Sequence, residues 1–257
     1  MVLWSVILPS GMSTSDSRVS SLFVAHGELG ATVQGSLIGT GPDPCWLTNS
    51  TSTPIAAYLG FLPLSIVNSE SNPTPGNGLY HIFMQLGGSG STSGADPWAS
   101  SAVAPLAEGA SIVIFGTGTK KVAIWGGPGF TGATFAGGTQ AYALKFSPLP
   151  NATAGTPANF VSTYADGQVG AGYTYSAAAS KAMIINGVNV AGIGSTINPT
   201  SGLNGDAGAP LPRLWDSTEI DIGSMGVFNS IQSQMNITVG GAANNDCITP
   251  IAHVITY

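Results

Sequence analysis

Apolar and polar residues alternate along this chain in short runs with a period near two. The opening run VLWSVIL (2–8) departs from alternation. It is nearly continuously apolar, the pattern of a strand covered on both faces. Further strand-like runs follow at 21–25, 31–38, 55–61, 79–86, 110–116, 121–125, 141–146, 159–164, 182–190, 217–222, 233–240 and 247–257. Clusters rich in Gly, Pro, Ser and Asn separate them, among them SGMSTSDS, NSESNPTPGNG and NPTSGLNGDAG. Many short strands joined by such turns predict an all-β chain, an antiparallel β-sandwich of the jelly-roll or Ig-like kind. One helix of a turn or two is expected within 96–110, where Asp96 can cap, Pro97 suits a first turn and Pro105 limits the length. A second turn is a candidate at 176–183. The stretch 147–158 is the best linker candidate, but a single sandwich over 1–257 is the favoured arrangement.

Composition sharpens this picture. The 257 residues are 43% hydrophobic, enough to exclude disorder from lack of apolar surface, and only 7% charged, against roughly 25% in ordinary proteins. A surface of Ser, Thr, Asn, Ala and Gly sets up little repulsion between copies, so association is cheap. Net charge is −6 with six Lys and Arg, so the basic footprint that nucleic-acid binding needs is missing. No apolar run approaches the ~18 residues of a membrane-spanning helix. The opening residues lack the basic n-region of a signal peptide and are expected to form a mature strand. HVITY at 253–257 reads as the end of another strand, without a tail or sorting motif.

Candidate chemistry is sparse. No Gly-x-Ser-x-Gly elbow, His-Glu-x-x-His or Cys-x-x-Cys pattern occurs. His81 and His253 lie in strand-like runs and are expected to be packed or edge side chains; His26 lies in a turn and is expected to be solvated. Acids cluster late: Asp206, Asp216, Glu219 and Asp221 are four of the twelve, close to Arg213. In an extended strand Glu219 and Asp221 share one face while Ile220 and Ile222 share the other. An amphipathic strand with solvated acids is the plain reading. A calcium site from Asn204, Asp206, Asp216, Glu219 and Asp221, and a glycosidase-like carboxylate pair, are the alternatives. Trp46, Trp98, Trp125 and Trp215 lie beside loops, where they either plug the ends of the sandwich or stack on sugar rings. Asn49, Asn151 and Asn236 begin glycosylation triplets, at the frequency chance allows in such a composition. Cys45 and Cys247 are the only cysteines; they suit a disulfide in an oxidising compartment, with two separate buried thiols as the alternative.

Three landmarks form a recognisable set: GPDPCW (41–46), YADGQVG (164–170), and LPRLWDSTEIDI (211–222) with NNDCITPIAHVI (244–255). Together they resemble a loosely defined group of secreted bacterial β-sandwich surface proteins with a Pro-Cys-Trp loop, an Ala-Asp-Gly-Gln turn, a Leu-Trp-Asp strand and a late Asp-Cys strand. The resemblance implies an extracellular or cell-surface location and a Cys45–Cys247 bond, and carries over no catalytic residue. It also implies that 214–222 is a late sandwich strand, with Trp215 plugging one end and Asp216 accepting backbone N–H bonds at the corner.

The expected function is that of an extracellular structural or adhesive protein, a non-enzyme that forms homo-oligomers or polymers such as a fibre or sheath. Residues 2–8 are the candidate assembly strand: Val2, Leu3, Trp4, Val6, Ile7 and Leu8 would enter a neighbouring subunit's sheet. A secreted carbohydrate-binding module with a glycan ligand is the first alternative and a secreted hydrolase the second. No cofactor is expected, calcium aside.

Overall fold

The computed structural model describes residues 1–42, 54–68, 76–86, 90, 103–116, 122–126, 140–145, 158–165, 182–191, 195–196, 215–228, 234–240 and 249–257. They are mostly antiparallel strands with two four-residue helices, in keeping with the all-β class. The chain divides into two compact units, Met1–Gly118 and Thr119–Tyr257. The linker candidate at 147–158 is not the division: strands on both sides of it belong to the second unit.

The first unit holds β1 (Val2–Ile7), α1 (Ser17–Ser20), β2 (Ser21–His26), β3 (Leu29–Pro42), β4 (Pro54–Gly60), α2 (Leu64–Val67), β5 (Tyr80–Phe83) and β6 (Leu106–Ile112). Its sheet runs in the order β5-β2-β3-β4-β1-β6. β3 changes partner midway: Leu29–Gln34 pair with β2, and the pairing with β4 begins at Gly35. Trp4 sits at that change. Its indole stacks on Tyr58 with ring centroids 5.4 Å apart and donates to the Val19 carbonyl at 2.9 Å. A Cβ at Gly35 would collide with the indole of Trp4, and one at Gly60 with Val33 and the Gln34 carbonyl. Glycine at these two positions opens the slot that the indole fills, and Val2, Val6, Leu8, Leu22, Val24 and Val33 complete this core.

β1 is buried along its whole length, as its unbroken apolar run predicts. It pairs with β4 on one side and β6 on the other. That second pairing overrides helix propensity in the expected helix of 96–110: residues 106–110 are strand, opposite Ser5–Ile7 and Trp4 of β1. Residues 96–102 lie outside the described part.

The second unit is a two-layer sandwich of four-stranded sheets. One runs β11-β10-β13-β8, made of β8 (Gln140–Lys145), β10 (Ala182–Ile185), β11 (Val188–Ala191) and β13 (Gln234–Gly240). The other runs β12-β9-β14-β7, made of β7 (Val122–Gly126), β9 (Asn159–Ala165), β12 (Trp215–Asp221) and β14 (Thr249–Thr256). Leu144, Met183, Ile185, Met235, Ile237 and Val239 of the first sheet meet Phe160, Tyr164, Ile220 and Ile255 of the second in one core.

The run 182–190 forms two strands rather than one. Asn186 and Gly187 have φ of 49° and 85°, the left-handed conformation of a two-residue hairpin turn that Asn-Gly favours. The Asn186 side chain also reaches outward: Nδ2 donates to the Val227 carbonyl at 2.8 Å, and Oδ1 accepts from the Asn236 N–H at 2.9 Å. Replacing Asn186 by Ala is expected to cost about 2 kcal/mol through backbone strain and two lost hydrogen bonds. Asn186→Gly, which keeps the conformation, should cost about half of that. Urea denaturation of the two variants measures the difference.

Candidate functional site

Alternation along β14 and β9 brings a polar group into the core of the second unit. His253 lies opposite Ser162 in the register, and both are fully buried. Ser162 Oγ is 2.6 Å from His253 Nδ1, and the Tyr142 hydroxyl, from β8 in the other sheet, is 2.9 Å from Nε2. The Tyr142 and Tyr164 hydroxyls are 2.7 Å apart. The imidazole stacks between Phe160 and Tyr142, with centroids 5.2 and 5.5 Å away, and meets the edge of Tyr164.

One neutral imidazole satisfies this chain, donating through one nitrogen and accepting through the other. Burial pushes the His253 pKa down from 6.5 to about 3 and the Tyr142 pKa well up, the latter helped by Tyr164. The histidine is therefore uncharged at neutral pH. The Ser–His contact has the partners of a nucleophile and its base, but it does not have their access. No substrate carbonyl reaches a serine with no exposed surface, and a tyrosine occupies the second imidazole nitrogen. The cluster ties the two sheets together through hydrogen bonds. His253 is a packed strand residue, as its strand-like run predicts, but its partners come from two other strands, β8 and β9, that no local pattern connects to it.

His26 departs from expectation. It is 4% exposed, not solvated, because it continues the inward-facing series Leu22, Val24, His26 of β2. Its Nδ1–H donates to the Ile66 carbonyl at 2.7 Å, and its ring stacks on Tyr80. His81 lies exposed on β5.

The acidic strand has the expected faces. Thr218, Ile220 and Ile222 are buried, whereas Glu219 and Asp221 are exposed. Asp221 Oδ1 accepts from the backbone N–H groups of Gly223 and Ser224 at 3.1 and 3.0 Å, closing the turn that ends β12. That is the corner role expected of Asp216. The Asp216 side chain lies outside the described part; its backbone pairs with Tyr164. Glu219 Oε1 accepts from Asn159 Nδ2 at 2.9 Å. Among the described residues, no group of three or more His, Cys, Asp or Glu is placed to hold a metal. Asn204 and Asp206, the rest of the calcium set, lie outside them.

The two described tryptophans of the sugar-stacking set serve packing. Trp215 is 5% exposed and presents no ring face to a ligand, which corrects that expectation for this residue. Trp125 packs against the core and donates its indole N–H to the Lys145 carbonyl at 2.9 Å. Trp46, Trp98, Cys45 and Cys247 lie outside the described residues.

The assembly strand is at home in its own unit. Val2, Leu3, Trp4, Val6, Ile7 and Leu8 are buried, and both edges of β1 are paired, so passing it to a neighbour requires withdrawing it from β4 and β6.

A different surface is open. Phe23 of β2 and Phe83 of β5 are register partners on the outer face of the sheet, with centroids 6.2 Å apart. They are 41% and 53% exposed. The Phe23 ring lies over Gly30, whose missing side chain leaves room for it. Among the described residues β5 pairs on one side only.

Comparison with protein-family models, with curated proteins and with solved structures gave no match.

Proposed function

We propose that this is an extracellular structural or adhesive protein whose copies associate through exposed sheet edges, and that it is not an enzyme. The observation that carries the reading is the Phe23–Phe83 pair, two large exposed aromatic side chains, one on the edge strand β5 and one on its neighbour β2, with no Lys, Arg, Asp or Glu in Tyr80–Phe83. Proteins that must stay monomeric blunt such edges with Lys, Pro or a bulge. With charged residues at 7% of the chain, little electrostatic repulsion keeps two copies apart. The resemblance to secreted surface proteins supports the extracellular location. Edge-to-edge pairing asks less than donation of β1, because no paired strand has to be withdrawn.

Light scattering and negative-stain microscopy over a range of concentrations test the proposal. Concentration-dependent oligomers or filaments are expected from the parent chain. Phe83→Lys, which places a charge on the edge, should shift association to at least tenfold higher concentration without lowering the melting temperature. A parent chain that stays monomeric at high concentration overturns the reading, as does association that Phe83→Lys leaves unchanged.

A further inference from the structure

We propose that the His253 cluster is an acid-sensitive latch on the second unit, holding its two sheets closed at neutral pH and favouring their separation in mild acid.

The argument begins with geometry. His253 and Ser162 belong to one sheet and Tyr142 to the other, so the imidazole links the layers. Among the described residues, the groups placed against it are uncharged: Ser162, Phe160 and Tyr164 from β9, Tyr142 from β8, and Trp125 as the register partner on β7. An acid close in register is Asp216 on β12, whose backbone pairs with Tyr164.

A protonated imidazole has two donors and no acceptor, and desolvation in this core opposes its charge. In the opened chain the same side chain takes up a proton with its ordinary pKa of about 6.5. The sign follows. Above pH 6.5 neither state binds the proton, and the group adds no pH dependence. Below 6.5 the open state binds it and the closed state does not, so closing weakens about tenfold per pH unit towards pH 3, where the closed state also protonates. At pH 4.5 the closing equilibrium is about a hundredfold less favourable than at pH 7 from this residue alone.

Hydrogen exchange of peptides covering 158–165 and 249–257, measured from pH 7.5 to 4.5 and corrected for intrinsic rates, tests the latch. The parent chain should lose about a hundredfold in protection there. His253→Phe should lose at least tenfold less over the same range. Asp216→Asn should keep the parent's loss, since the latch is assigned to the histidine. Imidazole nitrogen NMR of the parent chain keeps the test decisive if His253→Phe does not fold. The expected result is a neutral ring of one tautomer throughout the folded range. A folded-state imidazole that titrates near pH 6.5, protection in the parent that does not change with pH, or acid sensitivity abolished by Asp216→Asn would each overturn the proposal.

Discussion

Replacing Trp4 by alanine is expected to destabilise the first unit by about 4 kcal/mol, within the range for a buried aromatic residue. The indole is fully buried, and its removal costs more than its own transfer from water. Its N–H bond to the Val19 carbonyl goes, leaving that carbonyl without this donor in the core. The stacked Tyr58 ring loses its partner, and Tyr58 is itself tied by its hydroxyl to the Thr14 carbonyl, which limits how far it can move into the gap. Gly35 and Gly60 have no side chains with which to refill the slot. Guanidinium denaturation, with hydrogen exchange to assign the change to residues 1–8 and 54–60, measures the effect. A loss below about 1 kcal/mol would mean that the core collapses around the missing ring, against the rigidity argued here.

Tyr142→Phe is expected to cost the second unit about 2–3 kcal/mol, although it removes one oxygen and leaves the ring volume intact. That hydroxyl joins His253 Nε2 to Tyr164, so its loss leaves two polar groups in a dry core each short of a partner. His253→Phe combined with Tyr142→Phe should cost less than the two single changes added together, because the pair removes both ends of one hydrogen bond. A double-mutant cycle in urea at pH 7.5 provides the measurement. Strict additivity would show that the observed 2.9 Å contact contributes no coupling.

Both predictions concern residues whose importance the sequence shows unequally. Trp4 stands in a run apolar at nearly every position, and that pattern announces a strand covered on both faces. Glycines 35 and 60 look like ordinary punctuation until the fold brings them against the indole. His253 lies in a visible strand, yet Ser162 is 91 residues away and Tyr142 is 111 residues away. No local spacing encodes such a meeting. The acidic strand is the opposite case. Alternation alone placed Glu219 and Asp221 outside and Ile220 and Ile222 inside, and the faces are as read. The Asn186-Gly187 turn was also legible, since Asn-Gly between apolar runs is a hairpin signal, but the long apolar stretch around it read as one strand.

What the sequence determined by itself is the all-β character, the approximate places of most strands and the weakly charged surface. Those properties follow from the alternation of neighbouring side chains and from turn residues, which act over a few positions. Tertiary structure decided which strands pair, and so turned 106–110 from expected helix into the strand alongside β1. It decided the burial of His26, the division into two units, and the exposure of Phe23 and Phe83 together at an edge. The physical reason is the same in each case. Burial, hydrogen-bond satisfaction and edge exposure depend on partners brought from distant parts of the chain, and the folded chain selects them by their summed packing rather than by local preference.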